Sequence, residues 1–174
     1  MLRVGQDPVS FSARAASGGD LGNRAAALLA RIEWPGKPGA SLPIAPLTPA
    51  EQARFEAGRQ VYANLCVACH REDGRGGDRL APSLLGSDLA LGDAGLPIRI
   101  LLHGKEGPVG LMPPLGQVFS DEQMAQVLTY VRRSWGNTGA PIEPAVVGQV
   151  RAGTTGRNRP WTNDELNAIT PAAR

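Results

Sequence analysis

The feature that most constrains this chain is Cys66-Val67-Ala68-Cys69-His70. Two cysteines separated by two residues and followed at once by a histidine can act together on a porphyrin. Each thiol adds across one vinyl group, and the imidazole meets the iron as proximal ligand. One helical turn sets both sulfurs on the same edge of the macrocycle, with the next residue beneath the metal. These are the only cysteines in 174 residues, so a covalent haem leaves no thiol spare. Zinc knuckles and redox dithiols also use C-x-x-C. Zinc needs four ligands, and the chain's Cys and His amount to Cys66, Cys69, His70 and His103, of which Cys69 and His70 are adjacent and can hardly share one small ion. A thioredoxin-like disulfide calls for a strand-to-helix context, whereas the sequence here is helical and Gly-rich. The pattern therefore points to one covalent haem c and its iron.

Length suits one small domain with extensions. With 22 Gly and 15 Pro, much of the chain is expected to be loop, as in a fold that wraps a cofactor. Aromatic residues are only 5%, so the apolar haem face would supply core that side chains do not, and without it the middle of the chain is expected to be loosely folded. With 18 Lys plus Arg against 16 Asp plus Glu, the net +2 gives no warrant for nucleic-acid binding. No apolar run approaches the roughly 18 to 20 residues of a bilayer span, and the first twenty residues lack an apolar signal core. Haem c is attached outside the cytoplasmic membrane, so the expected location is periplasmic, with a signal peptide or upstream domain outside this chain.

Three organisational units are expected. Residues 1–47 read as an arm: a stretch to residue 20 without periodicity, then an Ala/Leu helix over Leu21–Ile32 with Asp20 as N-cap. That helix is too short to stand alone in water. Trp34-Pro35-Gly36-Lys37-Pro38-Gly39 breaks it, and Pro43, Pro46 and Pro49 keep the linker extended. A belt docking onto the next domain or a partner is favoured over a solvated linker, because Trp34, Leu28, Leu29 and Ile32 make a poor surface. The haem domain spans 48–137. Thr48-Pro49-Ala50-Glu51 is a capping box with Pro at the first helical position, and the helix should run to about Asn64 with Phe55, Gly58, Tyr62 and Leu65 on one face. Ser120-Asp121-Glu122-Gln123 starts a second capped helix carrying Met124, Val127, Leu128, Val131 and Trp135 on one side, ended by Gly136-Asn137. Pro97–His103 reads as a short helix stopped by Gly104, with Ile98, Leu101 and Leu102 available to cover a haem face.

Two loop positions bear on the iron. A metal-bound histidine normally gives its other ring N–H to a carbonyl or carboxylate. Pro82 keeps its carbonyl and is a candidate acceptor for His70; a proline that merely shapes the turn is the other reading. Met112 lies in Gly110-Leu111-Met112-Pro113-Pro114-Leu115-Gly116, an apolar stiff loop suited to a soft sixth ligand. Met124 lies at core spacing on a helix, and His103 at a helix end is the rival that would change the chemistry most.

Together the Cys66–His70 motif, Pro82, the Gly58/Tyr62 helix, Met112-Pro113 and the Tyr130–Asn137 helix end resemble class I cytochrome c over residues 48–137. The resemblance implies an all-α fold of a few helices around one haem, with the Gly58/Tyr62 helix crossing the 121–135 helix, the Pro82 carbonyl supporting His70, and Met112 as distal ligand. It extends to haem domains fused or bound to bacterial periplasmic dehydrogenases, quinoprotein types included, where a Trp-Pro-Gly-Lys-Pro-Gly run precedes the domain and Arg-x-x-Pro-Trp follows.

Residues 138–174 read as an extension packing partly on that domain. Pro141 and Pro144 lead into a weak helix over Ala145–Arg151, Gly153–Gly156 is loose, and Thr162-Asn163-Asp164-Glu165 caps a last turn. Arg151, Arg157 and Arg159 read as a solvated tail in preference to a docking patch for an acidic partner, while Trp161 argues that part of the tail lies on the domain. The leading expectation is a single-electron carrier, not an enzyme, taking electrons from a dehydrogenase and passing them to another cytochrome or an oxidase. An open-site haem enzyme or gas sensor, or a module whose haem is only structural, are the alternatives.

Overall fold

The computed structural model describes residues 2–3, 8–33, 45–107 and 109–169. Its elements in chain order are β1 (Leu2–Arg3), α1 (Val9–Ala16), α2 (Gly19–Leu29), β2 (Ile32–Glu33), α3 (Pro49–Val61), a π turn (Tyr62–Cys66), α4 (Val67–His70), α5 (Asp88–Leu91), α6 (Gly95–His103), β3 (Lys105–Gly107), β4 (Gly110–Met112), α7 (Asp121–Arg133), α8 (Pro144–Gly153) and α9 (Asn163–Ile169). The fold is all-α as expected; among the described residues the strands form two short ribbons, β1 parallel to β2 and β3 antiparallel to β4.

The core rests on the crossing of α3 and α7. Both helices start with the reciprocal cap that the sequence announces. The Thr48 hydroxyl accepts from the Glu51 N–H while the Glu51 carboxylate accepts from the Thr48 N–H at 2.7 Å, and Ser120 and Gln123 repeat the arrangement. Where the helices meet, a Cβ on Gly58 would stand 1.9 Å from the Gln126 carbonyl oxygen, so only glycine permits this contact. Around it Tyr62 packs on Tyr130 and Trp135 with ring centroids 5.3 and 5.2 Å apart, and Phe55 meets Tyr130 at 5.2 Å. Met124, Ala125, Val127, Leu128 and Val131 face inward from α7 onto Ile98, Leu101 and Leu102 of α6.

Several local expectations change. The helix from Thr48 does not end near Asn64: it widens into the π turn, in which the Val67 N–H reaches the Tyr62 carbonyl, and continues to His70. The inserted residue breaks the three-and-four spacing beyond Tyr62, so Leu65 is exposed, not on the buried face. α7 stops at Arg133, and Trp135 follows in left-handed backbone (φ 55°). The first twenty residues contain α1, which packs on α2 through Gly22 and Ala25; each short helix is the other's partner. Asp20 lies in the first turn of α2, and Gly18 is the cap. Trp34–Gly39 and Pro43, on which the belt reading turns, lie outside the described residues; at its near end, the Ala45 carbonyl accepts from Arg133 at 2.7 Å.

The chain after α7 is tied back at several points. Arg54 of α3 makes a two-point ion pair with Glu143 ahead of α8. Val147 and Leu166 are fully buried. Trp161 lies beside β3, its backbone N–H donating to the Gly104 carbonyl and its carbonyl accepting from the Glu106 N–H, both at 3.0 Å. Arg157 stacks on the Trp161 ring and, with Arg159, grips Glu165, holding that carboxyl down at about 2. Arg157 and Arg159 thus have partners within the chain.

Gly58→Val should lower the unfolding midpoint of the folded protein by the equivalent of about 3 kcal/mol or more, because backbone faces the added atoms. Thermal unfolding monitored by circular dichroism checks this, and a wild-type midpoint would contradict the crossing.

Candidate functional site

Cys66 closes the π turn, while Cys69 and His70 lie on the single turn of α4. Cys66 is half-buried against the main core, and Cys69 is exposed. Burial, with Cys69 beside it, pushes the Cys66 thiol up to about 11. That is the opposite of the lowered thiol that makes a redox dithiol reactive. Among the described residues no three His, Cys, Asp or Glu side chains gather to hold a metal ion, and the His103 ring bonds through Nε2 to the Thr154 hydroxyl at 2.8 Å. A four-ligand zinc site therefore has no basis among the described residues.

His70 is positioned by the loop that follows it. Its Nδ1 stands 3.3 Å from the Pro82 carbonyl oxygen. Burial lowers the pKa of the ring, and the Pro82 carbonyl partly opposes this; the imidazole is thus neutral near pH 7, the form that binds a metal. With Nδ1–H donating to Pro82, Nε2 is the nitrogen left for coordination. The sequence explains why the carbonyl arrives there. Gly76 (φ 69°) donates to the His70 carbonyl, and Gly77 and Ala81 exchange hydrogen bonds, folding the loop back on α4. A Cβ on Gly76 would lie 2.1 Å from the Ala81 oxygen and 2.8 Å from the Pro82 oxygen.

The far side of the loop is held by the π turn and by the chain at the end of α7. Tyr62 donates to the Arg71 carbonyl at 2.8 Å, and Trp135 Nε1 donates to the Glu72 carbonyl at 3.0 Å. The Trp135 ring lies flat against Gly74, whose Cβ would fall 2.6 Å from it. Two buried polar residues complete the frame; the sequence marks Asn137 only as part of a helix stop, and Arg132 carries no signal of its own. Asn137 accepts from Gly86 and donates to Leu84 and Val131. Arg132, 4% exposed, donates to the carbonyls of Ala90, Gly92 and Ala140. Only its position after Val131 on a core helix could have flagged it.

Met112 ends β4, directly across from Lys105 of β3. It is half-buried and packs against the main core and against a second cluster of Leu96, Ile100, Leu166 and Trp161. Cys66 and Met112 therefore border the same core. Met124 is fully buried within it. The donor set of two thiols, one neutral imidazole with its second nitrogen fixed, and one thioether fits a covalent haem.

Residues 53–131 match the family model described as cytochrome c oxidase, cbb3-type, subunit III. The chain is 34% identical over 65 residues to cytochrome c-554(548) of Halomonas halodenitrificans, 37% of this chain and 78% of that protein. The chain belongs to the cytochrome c family. It is also 36% identical over 94 residues to the gluconate 2-dehydrogenase cytochrome c subunit of Pantoea cypripedii, and 30% over 113 residues to the cytochrome c subunit of the quinone alcohol dehydrogenase of Gluconobacter oxydans. These alignments cover 47% and 51% of this chain but only 21% and 24% of those proteins. Membership brings a covalent haem c with its iron and an electron-transport role. No described helix of this cytochrome is long and apolar enough to cross a membrane.

Gly76→Val should push the Pro82 carbonyl away from His70. The imidazole then becomes a poorer electron donor, and the haem potential should rise against wild type in a spectroelectrochemical titration. An unchanged potential would contradict the support assigned to Pro82.

Proposed function

We propose that this chain is a single-electron carrier or relay domain in which Cys66 and Cys69 hold the haem through thioethers and His70 and Met112 are the axial ligands. The observation that carries the reading is the His70 Nδ1 to Pro82 carbonyl pairing, which fixes the tautomer and leaves Nε2 for iron. Haem c supplies a one-electron couple when bound. The protein's part is to keep that couple from doing anything else: Met112, packed between two apolar clusters, would fill the sixth position and keep small molecules off the metal. Bond-breaking chemistry then belongs to a partner.

The names of the relatives, cytochrome subunits of gluconate, alcohol and fructose dehydrogenases, support a dehydrogenase as electron donor; a quinoprotein type among such donors, another cytochrome or an oxidase as acceptor and the periplasm as location complete the proposal. Residues 48–137 form the haem domain in this reading, 1–47 an arm, and 138–174 an extension packed partly on the domain.

Absorption spectroscopy tests the assignment. The ferric protein should be low-spin with a weak red Met-to-iron band, and the ferrous protein should not take up CO at neutral pH. A quinoprotein dehydrogenase with its substrate should reduce it in stopped flow. A high-spin ferric form that binds CO readily on reduction would replace the carrier with a haem enzyme or gas sensor.

A further inference from the structure

The family match ends at residue 131, yet the segment carrying Met112 is gripped from beyond that point. The chain leaving β4 is first pinned on its inner side, where the N–H groups of Leu115 and Gly116 donate to the Leu101 and Leu102 carbonyls at the end of α6. Its outer side is held by Arg151 of α8. One guanidinium donates to the Gly116 carbonyl at 2.6 Å, to the Phe119 carbonyl at 3.0 Å, and through Nε to Asp121 at 2.7 Å. These are charge-assisted bonds from a planar fork to three fixed acceptors, an arrangement that lysine cannot reproduce. A second grip acts on β3, the strand paired with the one that carries Met112. Trp161 extends the β3–β4 ribbon by one strand-like position, and with Leu166 it joins the apolar cluster that also receives Met112.

We propose that Arg151 is a positioning residue for Met112: α8 and the tail after it brace the distal segment from outside the matched domain, and Arg151 is the fastening that holds Met112 toward the iron. The proposal rests on the reading of Met112 as distal ligand. Displacing a distal thioether requires the 112–119 segment to swing out, which means breaking the Arg151 bonds to Gly116 and Phe119. Removing the fork raises the population of the opened segment, and an exogenous ligand reports that population directly.

The test uses the ferric holoprotein and free imidazole as competing ligand, with the red Met-to-iron band as signal. Wild type should show the band and bind imidazole weakly, and Met112→Ala should lose the band. Arg151→Ala should keep the band without added ligand but bind imidazole about tenfold more tightly, with Arg151→Lys in between. Arg59→Ala, which removes an exposed guanidinium paired with Glu56 on α3, should match wild type. A band absent from wild type or retained in Met112→Ala sinks the ligand assignment itself. A band that behaves as stated, with imidazole binding unchanged in Arg151→Ala, sinks only the brace. If Arg151→Ala does not yield folded holoprotein, Arg151→Lys decides: imidazole binding equal to wild type overturns the proposal.

Discussion

The contact of the Gly58 backbone with the Gln126 carbonyl governs more of this molecule than its size suggests. Because α3 and α7 touch backbone to backbone there, Tyr62, Tyr130 and Trp135 are drawn into one aromatic cluster. Two of these rings have polar ends that reach the chain just after the attachment motif, at Arg71 and Glu72. The crossing thus sets where the residues following His70 run, and so where the loop to Pro82 must turn back. A wider helix pair would leave the histidine with no fixed acceptor.

Much of this was legible in the residues. Thr48-Pro49-Ala50-Glu51 and Ser120–Gln123 encode their caps within four positions, and the Cys66–His70 motif is written in contiguous letters. A glycine on an apolar helical face, as at position 58, marks a point of close approach, because a small residue there has few other uses. What stayed hidden depends on partners far along the chain. The π turn has no local code in the residues, and it moves Leu65 off its expected face. Arg132 and Asn137 are polar residues whose burial is tolerated only because distant carbonyls and N–H groups meet them. Arg151 read as part of a solvated tail because nothing in its neighbourhood shows that Gly116, Phe119 and Asp121 converge on it.

The two ends of the chain behave differently in consequence. α1 and α2 pack chiefly on each other. The C-terminal extension is fastened by an ion pair to α3, by hydrogen bonds to β3 and by a buried leucine. The tail's bonds to the segment after Met112 come from beyond residue 131, where the family match ends.

The account stands on a tetrapyrrole bonded to this chain through two sulfurs. Intact-mass measurement on protein matured in a haem c-competent periplasm, under denaturing conditions, tests that most directly. The predicted result is a single species heavier than the polypeptide by one haem, an increment lost when both Cys66 and Cys69 are replaced by serine. A wild-type mass equal to the bare chain, or lighter by the two hydrogens of a Cys66–Cys69 disulfide, would contradict it.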